Sequence, residues 1–158
     1  MVLMKPQTVL ATLMAFVRKL LSFLGLHPAA RESETVMNDN LKQAYIEDPS
    51  AVPEGTKMHT GYWRIASKDL DTALGKRVYL HQKQKGPAWH GGQIVGIRTE
   101  PYQGKERTVF IYRSERDCIG VCAPEPNWAP NREQLITDTA IHLIHREPDG
   151  LGTWGPEA

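Results

Sequence analysis

From residue 61 to residue 146 the chain repeats one pattern: a short run of alternating apolar and polar residues, then a break at glycine, proline or charge. A period of two marks a strand with one face buried, and amphipathic helices cannot be laid out from such runs. GYWRIA (61–66) alternates Trp63 and Ile65 with Tyr62 and Arg64, and KRVYLHQ (76–82) alternates Val78 and Leu80 with Tyr79 and His81. ERTVFIYR (106–113) alternates Val109 and Ile111 with Phe110 and Tyr112, and TAIHLIHR (139–146) alternates Ile141 and Leu143 with His142 and Ile144. GGQIVGIRT (91–99) is apolar on both sides after two glycines. Such a set is too small for a two-sheet sandwich. It predicts a mainly β (α+β) domain, a small barrel of five or six strands whose closure removes exposed edges. Short peripheral helices are expected at 38–47, opened by Asn38 or Asp39 as N-cap and stopped by Pro49, and over 68–74.

A chain of 158 residues has room for one domain of ordinary size with an appendage, and excludes a large multi-domain enzyme. The thirteen glycines and eleven prolines fall almost entirely after residue 48, as many short connections require. The formal net charge of +1 hides a strong asymmetry. Residues 1–56 carry net −1, residues 57–116 net +7 and residues 117–158 net −5. A basic block is the usual footprint of a phosphate-bearing partner, although lysines also protect exposed strand edges.

Cys118 and Cys122 describe no disulfide framework and fit a reduced, cytoplasmic protein. A closed structural zinc site needs four ligands and there is no second cysteine pair, so neither metal nor cofactor is expected. His142 and His145 stand three apart, which on a strand sends the rings to opposite faces rather than to one ion.

Residues 1–36 read as an apolar appendage ahead of one domain spanning 37–158, with a Pro/Gly-rich acidic tail. Within residues 8–26, Arg18 and Lys19 interrupt the run near its middle, where a membrane-spanning helix cannot carry them cheaply. Leu10, Leu13, Val17, Leu20, Leu21 and Leu24 form one stripe of an amphipathic helix able to contact a partner protein or a membrane surface. A signal or anchor with unusual charge placement, and a start at Met37, are the alternatives.

The order of the strand texts, YWRI, then GKRVYLHQ, then a Gly-rich hairpin and GGQIVGI, then RTVFIYR, resembles the PUA-like barrel superfamily and its EVE and ASCH branches. The match covers roughly residues 58–146. Where many EVE domains carry a Lys-Ser-Glu-Pro run after the first strand, this chain has Ala66-Ser67-Lys68-Asp69. The resemblance implies binding of DNA or RNA, with a modified or flipped base held in an aromatic pocket.

The residues permit that chemistry. A base stacked on an aromatic face gains about 1–3 kcal/mol, its edge needs directed hydrogen bonds, and its phosphates need cations. Tyr62, Trp63, Tyr79 and Trp89 are the aromatic candidates; Arg64, Lys83 and Lys85 are candidates for the phosphates, and His90 and Gln93 for the base edge. The segment QKQKGPAWHGG, holding Lys83, Lys85, Trp89 and His90, is expected as a flexible hairpin that closes over the ligand. Trp63, on an alternating strand, is more readily a core residue than a stacking platform, and Trp128 and Trp154 are expected to cover the outside of the barrel. Two rival readings stand beside this one. One is a protein-interaction module using the N-terminal helix and acidic tail. The other is a small ASCH-type amidohydrolase acting on an acylated nucleoside, with Lys76 or Lys83 paired to Glu100.

Overall fold

The computed structural model describes residues 39–124, 128–145 and 154–157, so the apolar appendage expected over 1–36 and part of the acidic tail lie outside the described residues. By its contacts the chain divides into Met1–Asn40 and Leu41–Ala158, and the architecture that follows is that of the second unit. Among the described residues no helix is long and apolar enough to cross a membrane.

The alternating runs do become strands. β2 (Arg77–His81), β3 (Ala88–Tyr102), β4 (Lys105–Ser114) and β6 (Ala140–Ile144) overlie four of the five predicted segments. With β1 (Lys57–His59), β5 (Gln134–Ile136) and β7 (Gly155–Pro156) they make one seven-stranded mixed sheet in the order β5-β6-β2-β3-β4-β1-β7. Only β2 and β6 pair in parallel; every other neighbour is antiparallel. The protein is therefore mainly β, but the sheet is open, and the expected closure into five or six strands is not what forms. Its ends are the three-residue β5 and the two-residue β7. Edges this short leave little unpaired backbone, so closure is not needed to protect them.

The fifth predicted strand, 61–66, is replaced by β1 one step earlier. The ladder runs as far as His59, opposite Ile111, and then Thr60 diverts it. The Phe110 amide donates to the Thr60 hydroxyl at 3.0 Å, and that hydroxyl donates to the Gly61 carbonyl at 3.0 Å. Pairing resumes only as a single bridge between Trp63 and Thr108. A side-chain oxygen thus takes a place that alternation alone assigns to the backbone.

β3 and β4 form the longest hairpin, turned by Gln103 and Gly104 with φ of 51° and 73°. Two successive positive φ values define the tight turn whose twist matches its strands. β3 carries two extra residues. Leu80 pairs with His90 and His81 with Ala88, so Trp89 is a bulge residue, and Val95 is skipped between Ile94 and Gly96. Consequently Trp89 and His90 belong to β3, not to a flexible hairpin.

Both faces of β2 are covered, because Val78, Tyr79, Leu80 and His81 are all buried. On one face Val78, Leu80, Ile141 and Leu143 join Met58, Ile94, Phe110, Tyr112, Trp63 and Trp154 in the main core. On the other, Tyr79, Ala88, Cys118 and Ala140 form a smaller cluster. Trp154 and Trp128 are fully buried, contrary to the expectation that they cover the outside. Helix α1 (residues 39–47) packs Tyr45 and Ile46 against the main core, and the predicted 68–74 helix is the single turn α2 (Ser67–Leu70).

Candidate functional site

Two grooves flank the segment Asn131–Glu133. The first, about 780 Å³, is lined by Gln82, Lys83, Gln84, Lys85, Asn131, Arg132, Glu133 and Ile144. The second, about 530 Å³, is lined by Tyr62, Trp63, Arg64, Arg107, Asn131, Arg132, Glu133 and Gln134. Five cations and two aromatic rings thus border one dividing wall that carries a single carboxylate, Glu133. None of the five cations forms an ion pair among the described residues, where Arg77 and Arg98 hold all four.

Each groove is held by specific bonds. In the first, Nδ1 of His81 bonds the Gly86 carbonyl at 2.9 Å, the Gly86 amide donates to Lys83, and the Gln84 amide donates to the Arg132 carbonyl at 3.1 Å. The loop expected to swing over a ligand is tied at three points, with the Lys83 and Lys85 side chains exposed. The wall is tied as well: the Trp128 indole donates to the same Arg132 carbonyl at 2.9 Å, and Asn131 takes a left-handed conformation with φ of 61°. In the second groove, the Trp63–Thr108 bridge sets Arg64 beside Arg107. Tyr62 stacks on Tyr102 with ring centroids 4.3 Å apart and planes 10° from parallel. Burial, and next the nearby Glu100 carboxylate, raise the Tyr62 phenol above its ordinary range. Trp63 is buried, and its Nε1–H is the one buried side-chain polar atom without an acceptor among the described residues. Leaving such a donor unmet costs about 1–3 kcal/mol.

The remaining predicted site residues lie elsewhere. Trp89 is half-buried against Trp154 at 5.1 Å and donates to the His145 carbonyl at 2.6 Å. His90 is buried with Nδ1 2.8 Å from the Tyr112 hydroxyl, which also accepts from the Trp154 indole at 2.8 Å. An indole can only donate, and among the described residues His90 Nδ1 is the one acceptor within reach of the tyrosine proton, which assigns the His90 proton to Nε2. Burial lowers its pKa to about 4, in keeping with that assignment. Its Nδ1 is committed to Tyr112 and does not read a base edge. Gln93 sits exposed on β3 with one long bond to Gly75, at 3.5 Å, and lines neither groove. Tyr79 stacks on His142, centroids 4.8 Å apart, on the opposite sheet face from Trp63.

No family model, curated protein or solved structure matches this chain.

Two other constellations are occupied by the protein itself. His81 Nδ1 must donate to the Gly86 carbonyl, so its Nε2 accepts from His142 Nδ1–H at 2.9 Å. Burial lowers both histidines, His142 to about 4 with a further contribution from His81, so the pair is neutral at physiological pH. Glu115, Asp117 and Cys118 lie close enough to hold an ion, but Arg77 already bridges Glu115 at 2.8 Å and Asp117 at 3.2 Å. Burial pushes the Cys118 thiol up to about 12, away from the thiolate a metal would need. Both cysteines are free. The lysine–carboxylate pair of the amidohydrolase reading does not assemble among the described residues. Glu100 is held by Arg98, and Lys76 Nζ donates to the Thr137 carbonyl at 2.9 Å.

Sequence reasoning missed Arg107, Asn131 and Arg132. Arg107 lies in a predicted strand as one more polar alternate. Arg132 stands in a segment of net negative charge, so composition pointed away from it.

Proposed function

We propose that this protein is a nucleic-acid-binding module of the PUA-like kind, which takes single-stranded or locally opened DNA or RNA along the two grooves beside Asn131–Glu133. The observation that carries this reading is the set of cations Lys83, Lys85, Arg64, Arg107 and Arg132 that line the two grooves without an ion pair among the described residues, with Tyr62 and Trp63 lining the second groove. Like charges gathered on one surface without counter-charges repel one another, and a phosphate backbone relieves that repulsion. A splayed base stacks on the face of Tyr62 not covered by Tyr102, while Lys83 and Lys85 hold the phosphates that continue into the first groove. The resemblance of the strand texts to EVE-type barrels agrees with base recognition in an aromatic setting. Because Trp89 packs against Trp154, the aromatic role in this reading falls to the Tyr62–Trp63 segment.

Fluorescence anisotropy with 12-nucleotide single strands and their duplexes, DNA and RNA, at two salt concentrations tests the proposal. Binding to single strands should weaken steeply with salt. Lys83→Ala and Lys85→Ala should each flatten the slope of log K against log salt by about 0.7 for a single strand. Tyr62→Ala should lower affinity by about ten- to a hundredfold with the slope unchanged. Absence of salt-sensitive binding to every strand would overturn the reading.

A further inference from the structure

Building on the single-strand reading, we propose that the groove between Arg64, Arg107 and Arg132 is a phosphomonoester site that takes the terminal phosphate of a nucleotide chain or a free nucleoside monophosphate. The Trp63–Thr108 bridge is antiparallel, so the residue after Trp63 stands next to the residue before Thr108. Those residues are Arg64 and Arg107. Like charges side by side on neighbouring backbone segments repel, and the carboxylate opposite Arg107 on β3, Glu100, is held by Arg98. Arg132 lines the same groove. Among the described residues that line this groove, three guanidiniums stand with the single carboxylate Glu133, an excess of two positive charges. An internal phosphodiester offers one negative charge; a terminal monoester offers close to two above its second pKa of about 6. Guanidinium groups also suit it geometrically, each presenting a planar fork to two phosphate oxygens.

The test compares one 12-nucleotide single strand, labelled internally, ending in 5′-phosphate, 3′-phosphate or hydroxyls alone, with adenosine monophosphate and adenosine titrated separately by calorimetry. At pH 7.5 one phosphorylated end should bind about tenfold more tightly than the hydroxyl-ended strand, the increment of one charge-assisted contact pair. Arg64→Gln, at an exposed position, and Arg107→Gln should each abolish that gain; should Arg107→Gln not fold, Arg64→Gln decides. The gain should also fall at pH 5, where the monoester carries one charge. Protonation of His145, whose ring lies 6.0 Å from that of Trp63, would act in the opposite direction, so the sign identifies the ligand as the titrating group. Equal affinity of phosphorylated and hydroxyl ends, with salt-sensitive binding of both, overturns the monoester site and leaves the single-strand reading intact. Binding of adenosine monophosphate but not adenosine, with no strand bound, supports the site with a free nucleotide as its ligand and overturns the single-strand reading. Failure of all of them to bind overturns both.

Discussion

Replacing Tyr112 by phenylalanine removes one oxygen and leaves two buried partners unmet. The hydroxyl accepts from the Trp154 indole and donates to His90, both at 2.8 Å, inside a core where Tyr112 and Trp154 are wholly buried. The ring keeps its shape, so almost no cavity forms and the loss is polar. Each unmet buried group costs about 1–3 kcal/mol, which makes Tyr112→Phe destabilising by about 2–6 kcal/mol. Urea unfolding followed by tryptophan fluorescence measures this directly, with the denaturant slope expected to stay constant because the surface exposed on unfolding does not change. A second variant isolates the cause. His90→Leu should itself be costly, since it leaves the tyrosine proton without an acceptor. In combination the two losses should be sub-additive by about 0.5–3 kcal/mol, because the double variant removes donor and acceptor together. A loss below about 1 kcal/mol for Tyr112→Phe, or strict additivity of the pair, would refute the hydroxyl as the hub of this face.

Two further outcomes follow from burial and from backbone spacing. The neutral histidines make the fold acid-sensitive. The folded pKa values of His90 and His142 are about 4, below the ordinary 6.5, so the unfolded chain binds more protons between those limits and stability falls as pH drops from about 6.5 to about 4. His90 alone contributes on the order of 3 kcal/mol to that loss, and His90→Leu should shallow the pH dependence of the urea midpoint. Gly92→Ala should prevent folding, as judged by circular dichroism and expression in the soluble fraction, because its Cβ would lie 1.8 Å from the Arg113 carbonyl oxygen. Gly96→Ala, whose Cβ would meet the Ile111 side chain at 3.4 Å, should change stability by about 1 kcal/mol or less.

The alternating runs of the sequence were sufficient to place β2, β4 and β6, the apolar run after two glycines placed β3, and the Pro49 stop bounded helix α1 at its C-terminal end. These are local properties: side-chain period and capping chemistry act within a few residues and are written in them. The same alternation could not place β1, β5 or β7. Their residues pair only because a partner strand is present, and at Thr60 a hydroxyl interrupts the ladder that the pattern of GYWRIA implies. Trp154 looked like a surface residue because it lies among glycines and prolines, yet β7 pairs beside β1 and the ring fills the core. Trp89 looked like a loop residue because the apolar period breaks there; the break is a bulge, and the bulge turns both Trp89 and His90 toward Trp154. The basic block in the middle of the chain was legible as charge, and Arg64, Lys83 and Lys85 do line grooves. Which cations share a groove was not legible. Arg107 comes from a strand and Arg132 from a segment of net negative charge, and only the bridge at Trp63 and the turn through Asn131 bring them beside Arg64. Electrostatic interaction depends on distance in space, and tertiary pairing alone converts sequence separation into that distance.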